Sequence, residues 1–128
     1  MAERKRRLCA LVVDDNRDAA ETFAGLLGAM GCESAYCTDA RSALSEAMRL
    51  KPHIAFLDLG MPVVDGYQLA RLLRQQFSGE ELKLVAVTGH GAPADRAAAR
   101  KAGFDAHVLK PVDPALVESI IKTVLTED

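Results

Sequence analysis

The stretch Leu8-Cys9-Ala10-Leu11-Val12-Val13-Asp14-Asp15-Asn16 is an unbroken apolar run that stops on two consecutive carboxylates. A strand apolar at nearly every position belongs to a sheet covered on both faces, as parallel sheets are. The same figure recurs outward along the chain. Ile54-Ala55-Phe56-Leu57 ends on Asp58, Leu84-Val85-Ala86-Val87 on Thr88, and His107-Val108-Leu109 on Lys110. As strands of one parallel sheet, these runs would collect their last side chains along its carboxyl-terminal edge, where open α/β sheets keep their binding crevices. Three carboxylates, a hydroxyl and an amine would then share one edge.

Helical periodicity fills the intervals. Ala19, Ala20, Phe23, Leu26, Leu27 and Met30 recur at helical spacing until Gly31, and a short second strand follows over 34–37. Asp39 is placed to cap a helix with Ala40, Ala43, Leu44, Ala47 and Met48 on its apolar face, ended by Pro52. Asp65-Gly66 opens a third helix that turns Leu69, Ala70, Leu72, Leu73 and Phe77 inward, closed by Gly79. Pro93 starts a fourth over 93–102, mostly alanine with Arg96, Arg100 and Lys101, and so short of bulk to anchor it. Gly103 ends it, a strand over 106–109 follows, and Asp113-Pro114 caps a last helix carrying Leu116, Val117, Ile120, Ile121, Val124 and Leu125. Five strands alternating with five helices predict an α/β fold: a doubly wound, flavodoxin-like parallel sheet of order 2-1-3-4-5, as a three-layer αβα sandwich. That order sets the ends of strands one and three side by side and brings Asp14-Asp15 next to Asp58.

The length of 128 residues suits a single domain, expected over 1–128 with its core from 8 to 125 and a basic tail over 1–7. Arg4-Lys5-Arg6-Arg7 reads as a solvated end rather than an interface. Sixteen basic against eighteen acidic residues, shared equally between the two halves, give no field that selects nucleic acid or a membrane as a direct partner. No run approaches the roughly 18 apolar residues of a membrane span, and the first strand comes too early to be a signal segment, so the cytoplasm is the expected location. Cys9, Cys32 and Cys37 lack the spacing of a zinc site or a disulfide framework.

Carboxylates packed as closely as Asp14, Asp15 and Asp58 repel one another unless a proton or a cation relieves them. An all-oxygen set suits a hard divalent ion, which predicts a Mg²⁺ site, with Mn²⁺ as the other candidate.

Val12-Val13-Asp14-Asp15-Asn16, Asp58-Leu59-Gly60-Met61-Pro62 with Asp65-Gly66, Thr88-Gly89 and Lys110-Pro111, in order at the predicted strand ends, resemble the receiver domain of two-component response regulators, and the likeness covers nearly the whole chain. The resemblance implies that Asp58 is the phosphoacceptor, taking a phosphoryl group from phosphohistidine on a sensor histidine kinase or a histidine phosphotransfer protein. It implies that Asp14, Asp15, Asp58 and the Gly60 backbone carbonyl hold the metal, that Lys110 and Thr88 hold phosphoryl oxygens, and that the Lys110-Pro111 bond is cis. The family changes its surface over the fourth helix, fifth strand and fifth helix to control an output protein or a fused domain, without being a dedicated enzyme.

The chain departs from the common pattern three residues before the lysine, where His107 stands in place of tyrosine or phenylalanine. A rotating switch and a plain strand histidine both remain open readings of it. The resemblance implies that Gly60 and His90 flank water's approach and tune the lifetime of the phosphoryl group, and that Gly89 is small where the phosphodonor approaches. A free-standing receiver and one excised from a hybrid kinase are both consistent with the sequence. A degenerate receiver that docks without being phosphorylated is the alternative. A flavin-nucleotide carrier of the same sheet would need a glycine- and hydroxyl-rich loop where Asp14-Asp15-Asn16 stands. A dehalogenase-like phosphatase would carry its second aspartate two positions beyond the first.

Overall fold

Because neighbouring side chains on a strand point to opposite faces, each apolar run feeds two cores at once. The computed structural model describes residues 8–61, 65–89 and 96–126. In chain order these form β1 (Cys9–Val13), α1 (Arg17–Ala29), β2 (Glu33–Cys37), α2 (Ala40–Leu50), β3 (Ile54–Asp58), α3 (Gly66–Gln76), β4 (Lys83–Thr88), α4 (Arg96–Ala102), β5 (Ala106–Leu109) and α5 (Pro114–Thr126). The strands make one sheet of order β2-β1-β3-β4-β5, every pair parallel. On one face Leu11, Val13, Ala55, Leu57, Leu84 and Ala86 pack under α2, α3 and α4. On the other, Ala10, Val12, Phe56, Val85, Val87 and Val108 pack under α1 and α5. Phe56 is fully buried there, its ring 4.8 Å from that of Phe23. The fold is the expected doubly wound α/β sandwich. No helix among the described residues is long and apolar enough to cross a membrane.

The caps are local. Asn16 accepts a hydrogen bond from the Ala19 amide, Asp39 from Ser42 and Asp65 from Gln68, and the Gln68 side chain accepts in return from the Asp65 amide. Lys51 ends α2 with φ of 50°. A β-carbon is unfavourable in this left-handed region, so Lys51→Gly is expected to stabilise the fold by about 0.5–1 kcal/mol, read as a higher urea midpoint with unchanged slope. An unchanged midpoint would mean that the glycine's extra freedom in the unfolded chain cancels the relief.

Several expectations need correction. The second strand begins one residue early, because the Glu33 amide already donates to the Leu8 carbonyl. Met48, Leu72 and Leu116 were assigned to apolar faces but are 47%, 38% and 42% exposed. Met48 and Leu72 sit one residue from buried neighbours, Ala47 and Leu73, and one residue turns a helix by about 100°, enough to leave the sheet-facing stripe. Leu116 is set beside buried Val117 in the same way. Pro93 as a helix start, His90, and the basic tail over 1–7 lie outside the described residues, as do the side chains of Val124 and Leu125. Cys32 and Cys37 are buried and Cys9 partly so. Burial pushes the Cys9 thiol up and the Cys37 thiol to about 11, with nearby acids adding to both. These thiols stay protonated at neutral pH and are poor nucleophiles.

Candidate functional site

The strand order reverses between β1 and β3, with α1 on one face and α3 on the other, so a crevice opens at their carboxyl ends. Val13 is in register with Leu57, which sets Asp14 level with Asp58. Both are buried, at 6% and 8% exposure, whereas Asp15 is exposed. Carboxylate oxygens of Asp14, Asp15 and Asp58 lie within 4.8 Å of one another.

Each buried carboxylate has one oxygen fixed by a backbone amide: the Asn16 amide donates to Asp14 Oδ1 at 3.0 Å and the Gly60 amide to Asp58 Oδ1 at 2.9 Å. Their other oxygens face Lys110. Its backbone amide donates to the Thr88 carbonyl at 2.9 Å, and the peptide bond to Pro111 is cis, as the resemblance implied. From the end of β5 the side chain reaches past β4 and β3, placing Nζ 2.9 Å from Asp14 Oδ2 and 3.7 Å from Asp58 Oδ2.

Burial is the main influence on Asp58 and raises its pKa; the Asp14 charge adds to this, while the Gly60 amide and Lys110 oppose it, and the net direction is upward. For Lys110 burial pulls downward, but the bond to Asp14 and the charges of Asp58, Asp14 and Asp15 outweigh it, and its ammonium is held beyond the ordinary range. The cluster therefore carries more negative charge than one ammonium relieves. Hard oxygen donors with that excess fit a divalent cation such as Mg²⁺.

Thr88, at the end of β4, is 4% exposed, and its hydroxyl is the buried side-chain polar atom without a hydrogen-bond partner among the described residues. It lines a cavity of about 140 Å³ between β4, β5 and α4, together with Leu59, Ala86, Ala99, Phe104 and His107. His107 stands in register opposite Ala86, whose small side chain leaves this room. A β-carbon on Gly89 would meet nothing within 4 Å, and one on Gly60 would lie 3.6 Å from Asp58 Oδ1, so sterics demand glycine at neither position. The structure thus gathers Asp14, Asp15, Asp58, Lys110 and Gly60, with Thr88 at the adjacent strand end and His107 behind it.

Three residues important to this arrangement were missed as such in the sequence. Asn16 caps α1 and orients Asp14 through its amide, and Asn directly ahead of a helical pattern is a readable cap signal. Gly66 was read only as a helix opener, yet it packs against the Asp58 backbone. Arg74 joins the end of α3 to the entry of β4 and the turn between α4 and β5 through donors to Gly103, Ser78, Leu82 and Asp105. A lone arginine on an amphipathic helix carries no signal of such a role.

A parallel sheet with buried carboxylates and an ammonium at its reversal point, and at the adjacent strand end a hydroxyl without a partner among the described residues, defines an α/β class whose donor set fits a divalent cation. Comparison with known proteins narrows this: the Response regulator receiver domain family matches residues 10–122, and the chain belongs to it. The chain is 36% identical over 104 residues to an uncharacterized 14.6 kDa protein of Leptolyngbya boryana, covering 81% of this chain and 79% of that one. It is 30% identical over 118 residues to hybrid signal transduction histidine kinase L of Dictyostelium discoideum, spanning 88% of this chain but only 7% of that protein. It superposes on the CheY-like receiver domain from Methylobacillus flagellatus with a TM-score of 0.81 at 30% identity, covering 93% and 99% of the two chains. The protein is a response regulator receiver domain of two-component signalling, a family that works with histidine kinases and output domains.

Proposed function

We propose that residues 1–128 act as one phosphoacceptor switch in the cytoplasm, with Asp58 as the group that is phosphorylated. The observation that carries this reading is the placement of the Asp58 carboxylate. It is buried, fixed through one oxygen by the Gly60 amide, 3.7 Å from the Lys110 ammonium and within a cluster of acidic oxygens spanning 4.8 Å.

Asp58 attacks the phosphorus of a phosphohistidine on a sensor histidine kinase or histidine phosphotransfer protein. A P–O bond forms as the P–N bond breaks, and the departing imidazole nitrogen keeps the electron pair. Asp14, Asp15, Asp58 and the Gly60 carbonyl would hold Mg²⁺, or Mn²⁺ in its place. Bound there, the ion supplies charge neutralisation for the phosphoryl oxygens. Lys110 supplies the matching positive charge from the protein side and orients the phosphoryl group.

The Thr88 hydroxyl, without a hydrogen-bond partner among the described residues, would bond a phosphoryl oxygen. Its shift would leave room for His107, which lines the same cavity, to move inward and so alter the surface of α4, β5 and α5 presented to an output protein or a fused domain. Gly60, Gly89 and His90 would set how readily water reaches the aspartyl phosphate. The chain would work either as a free-standing receiver or as one module of a hybrid kinase.

Incubation with a small-molecule phosphodonor and Mg²⁺ should add one phosphoryl group by intact mass, and a chelator should prevent it. No gain under conditions that modify a control receiver would overturn the proposal.

A further inference from the structure

Gly66 has a role that the turn chemistry of Asp65-Gly66 does not account for. A β-carbon built on it would stand 2.6 Å from the Asp58 carbonyl oxygen and 2.9 Å from Leu59 Cα, both backbone atoms, and 3.0 Å from Leu59 Cδ2. Atoms that close must move, and backbone cannot swing away as a flexible side chain can.

Both sides of this contact are held. On the α3 side the anchors are several. The reciprocal bonds between Asp65 and Gln68 define where the helix starts, the Leu69 amide donates to the Asp65 carbonyl, and Leu69, Ala70 and Leu73 are fully buried under the sheet. Arg74 ties the following turn to Leu82 and Gly103. The other side is the turn that leaves β3. Its Leu59 amide donates to the Val87 carbonyl at 3.0 Å, and its Gly60 amide is the group that orients Asp58 Oδ1. A side chain at 66 would therefore press the first turn of α3 and the turn carrying Gly60 apart, against bonds on both sides.

We propose that Gly66 is a positioning residue for metal binding: by letting the first turn of α3 rest directly on the Asp58–Leu59 backbone, it sets the depth of the turn carrying Gly60 and the aim of the Asp58 carboxylate toward Asp14 and Asp15. The inference rests on the reading of these carboxylates and the Gly60 carbonyl as the Mg²⁺ ligands. It distinguishes the two glycines of the loop. Gly60 has space for a side chain, whereas Gly66 has none.

The test compares Gly66→Ala with Gly103→Ala in Mg²⁺ titrations followed by calorimetry, beside urea unfolding of each. Gly103 is the control for general damage, because its φ of 109° and the Arg74 side chain 2.6 Å from a built β-carbon make alanine costly there too, beside the last turn of α3 rather than its first. Sucrose in all samples favours the compact state and keeps the weakened variants folded. The expected result is that both variants lose stability, but only Gly66→Ala loses Mg²⁺ affinity, by about tenfold or more, the usual effect of disturbing the groups that orient metal ligands. Wild-type affinity in Gly66→Ala, or an equal loss in Gly103→Ala, would overturn the proposal alone. Absence of Mg²⁺ binding by the wild type would sink the ligand assignment and the proposal with it.

Discussion

Asp58→Asn is expected to abolish Mg²⁺-dependent phosphoryl uptake and to make the protein more stable. The loss of uptake should be complete, because the amide has no anionic oxygen to attack phosphorus and no neighbouring carboxylate stands in its place: Asp14 is bonded to Lys110 and Asp15 is exposed. The gain follows from the electrostatics. Burial and the Asp14 charge hold the Asp58 carboxyl above its ordinary 3.8, so the folded state binds this proton more tightly than the unfolded chain does. Ionised Asp58 therefore costs stability at neutral pH. The amide removes that cost, an advantage of order 1 kcal/mol by comparison with other relieved functional sites. The advantage should be present in full above the folded-state pKa and fade as pH falls toward 3.8 and below, where the wild-type carboxyl is protonated in both states. Urea unfolding at pH 7 and pH 4, with intact mass after phosphodonor treatment, checks both parts. Residual uptake by the variant would move the acceptor to another residue. A loss of stability would mean that the Lys110 attraction outweighs desolvation.

Arg74→Met is expected to cost about 3 kcal/mol, a large share of the roughly 5–15 kcal/mol that holds a domain together. The guanidinium donates to the carbonyls of Gly103, Ser78 and Leu82 and to the Asp105 carboxylate, at 2.6–3.1 Å. Asp105 in turn accepts from the Leu84 amide at the start of β4. One side chain thus joins the end of α3, the entry to β4 and the turn between α4 and β5. Methionine keeps the aliphatic stem but leaves these acceptors without their donor. Lysine should restore only part of the loss, since a single ammonium cannot match the planar fork. Denaturation of the wild type, Arg74→Met and Arg74→Lys gives the comparison. A loss under about 1 kcal/mol in Arg74→Met would show that water satisfies the carbonyls nearly as well.

The fold was legible in the sequence because its signals are local and repeated. Runs such as Ile54 to Leu57 are apolar at every position, as a strand covered on both faces requires. Gly31, Asp39, Asp65 and Gly103 mark helix ends through backbone chemistry that operates within a few residues. The helix faces were read less well at Met48, Leu72 and Leu116. Hydrophobicity states what a side chain prefers, whereas burial depends on where the helix axis settles, and small residues such as Ala43 and Ala47 decide that for α2.

The residue types of the candidate site were determined by sequence alone: Asp14, Asp15, Asp58, Thr88 and Lys110 each follow an apolar run, and strand polarity sends all of them to one edge. Tertiary structure decided what they do to one another. That Lys110 reaches Asp14 more closely than Asp58, that the Thr88 hydroxyl beside a cavity has no partner among the described residues, that Gly66 rests on the Asp58 backbone and that Arg74 spans three elements all depend on distances between segments far apart in the chain. Those distances are set by packing, in which every buried side chain contributes at once, and no local stretch of sequence records them.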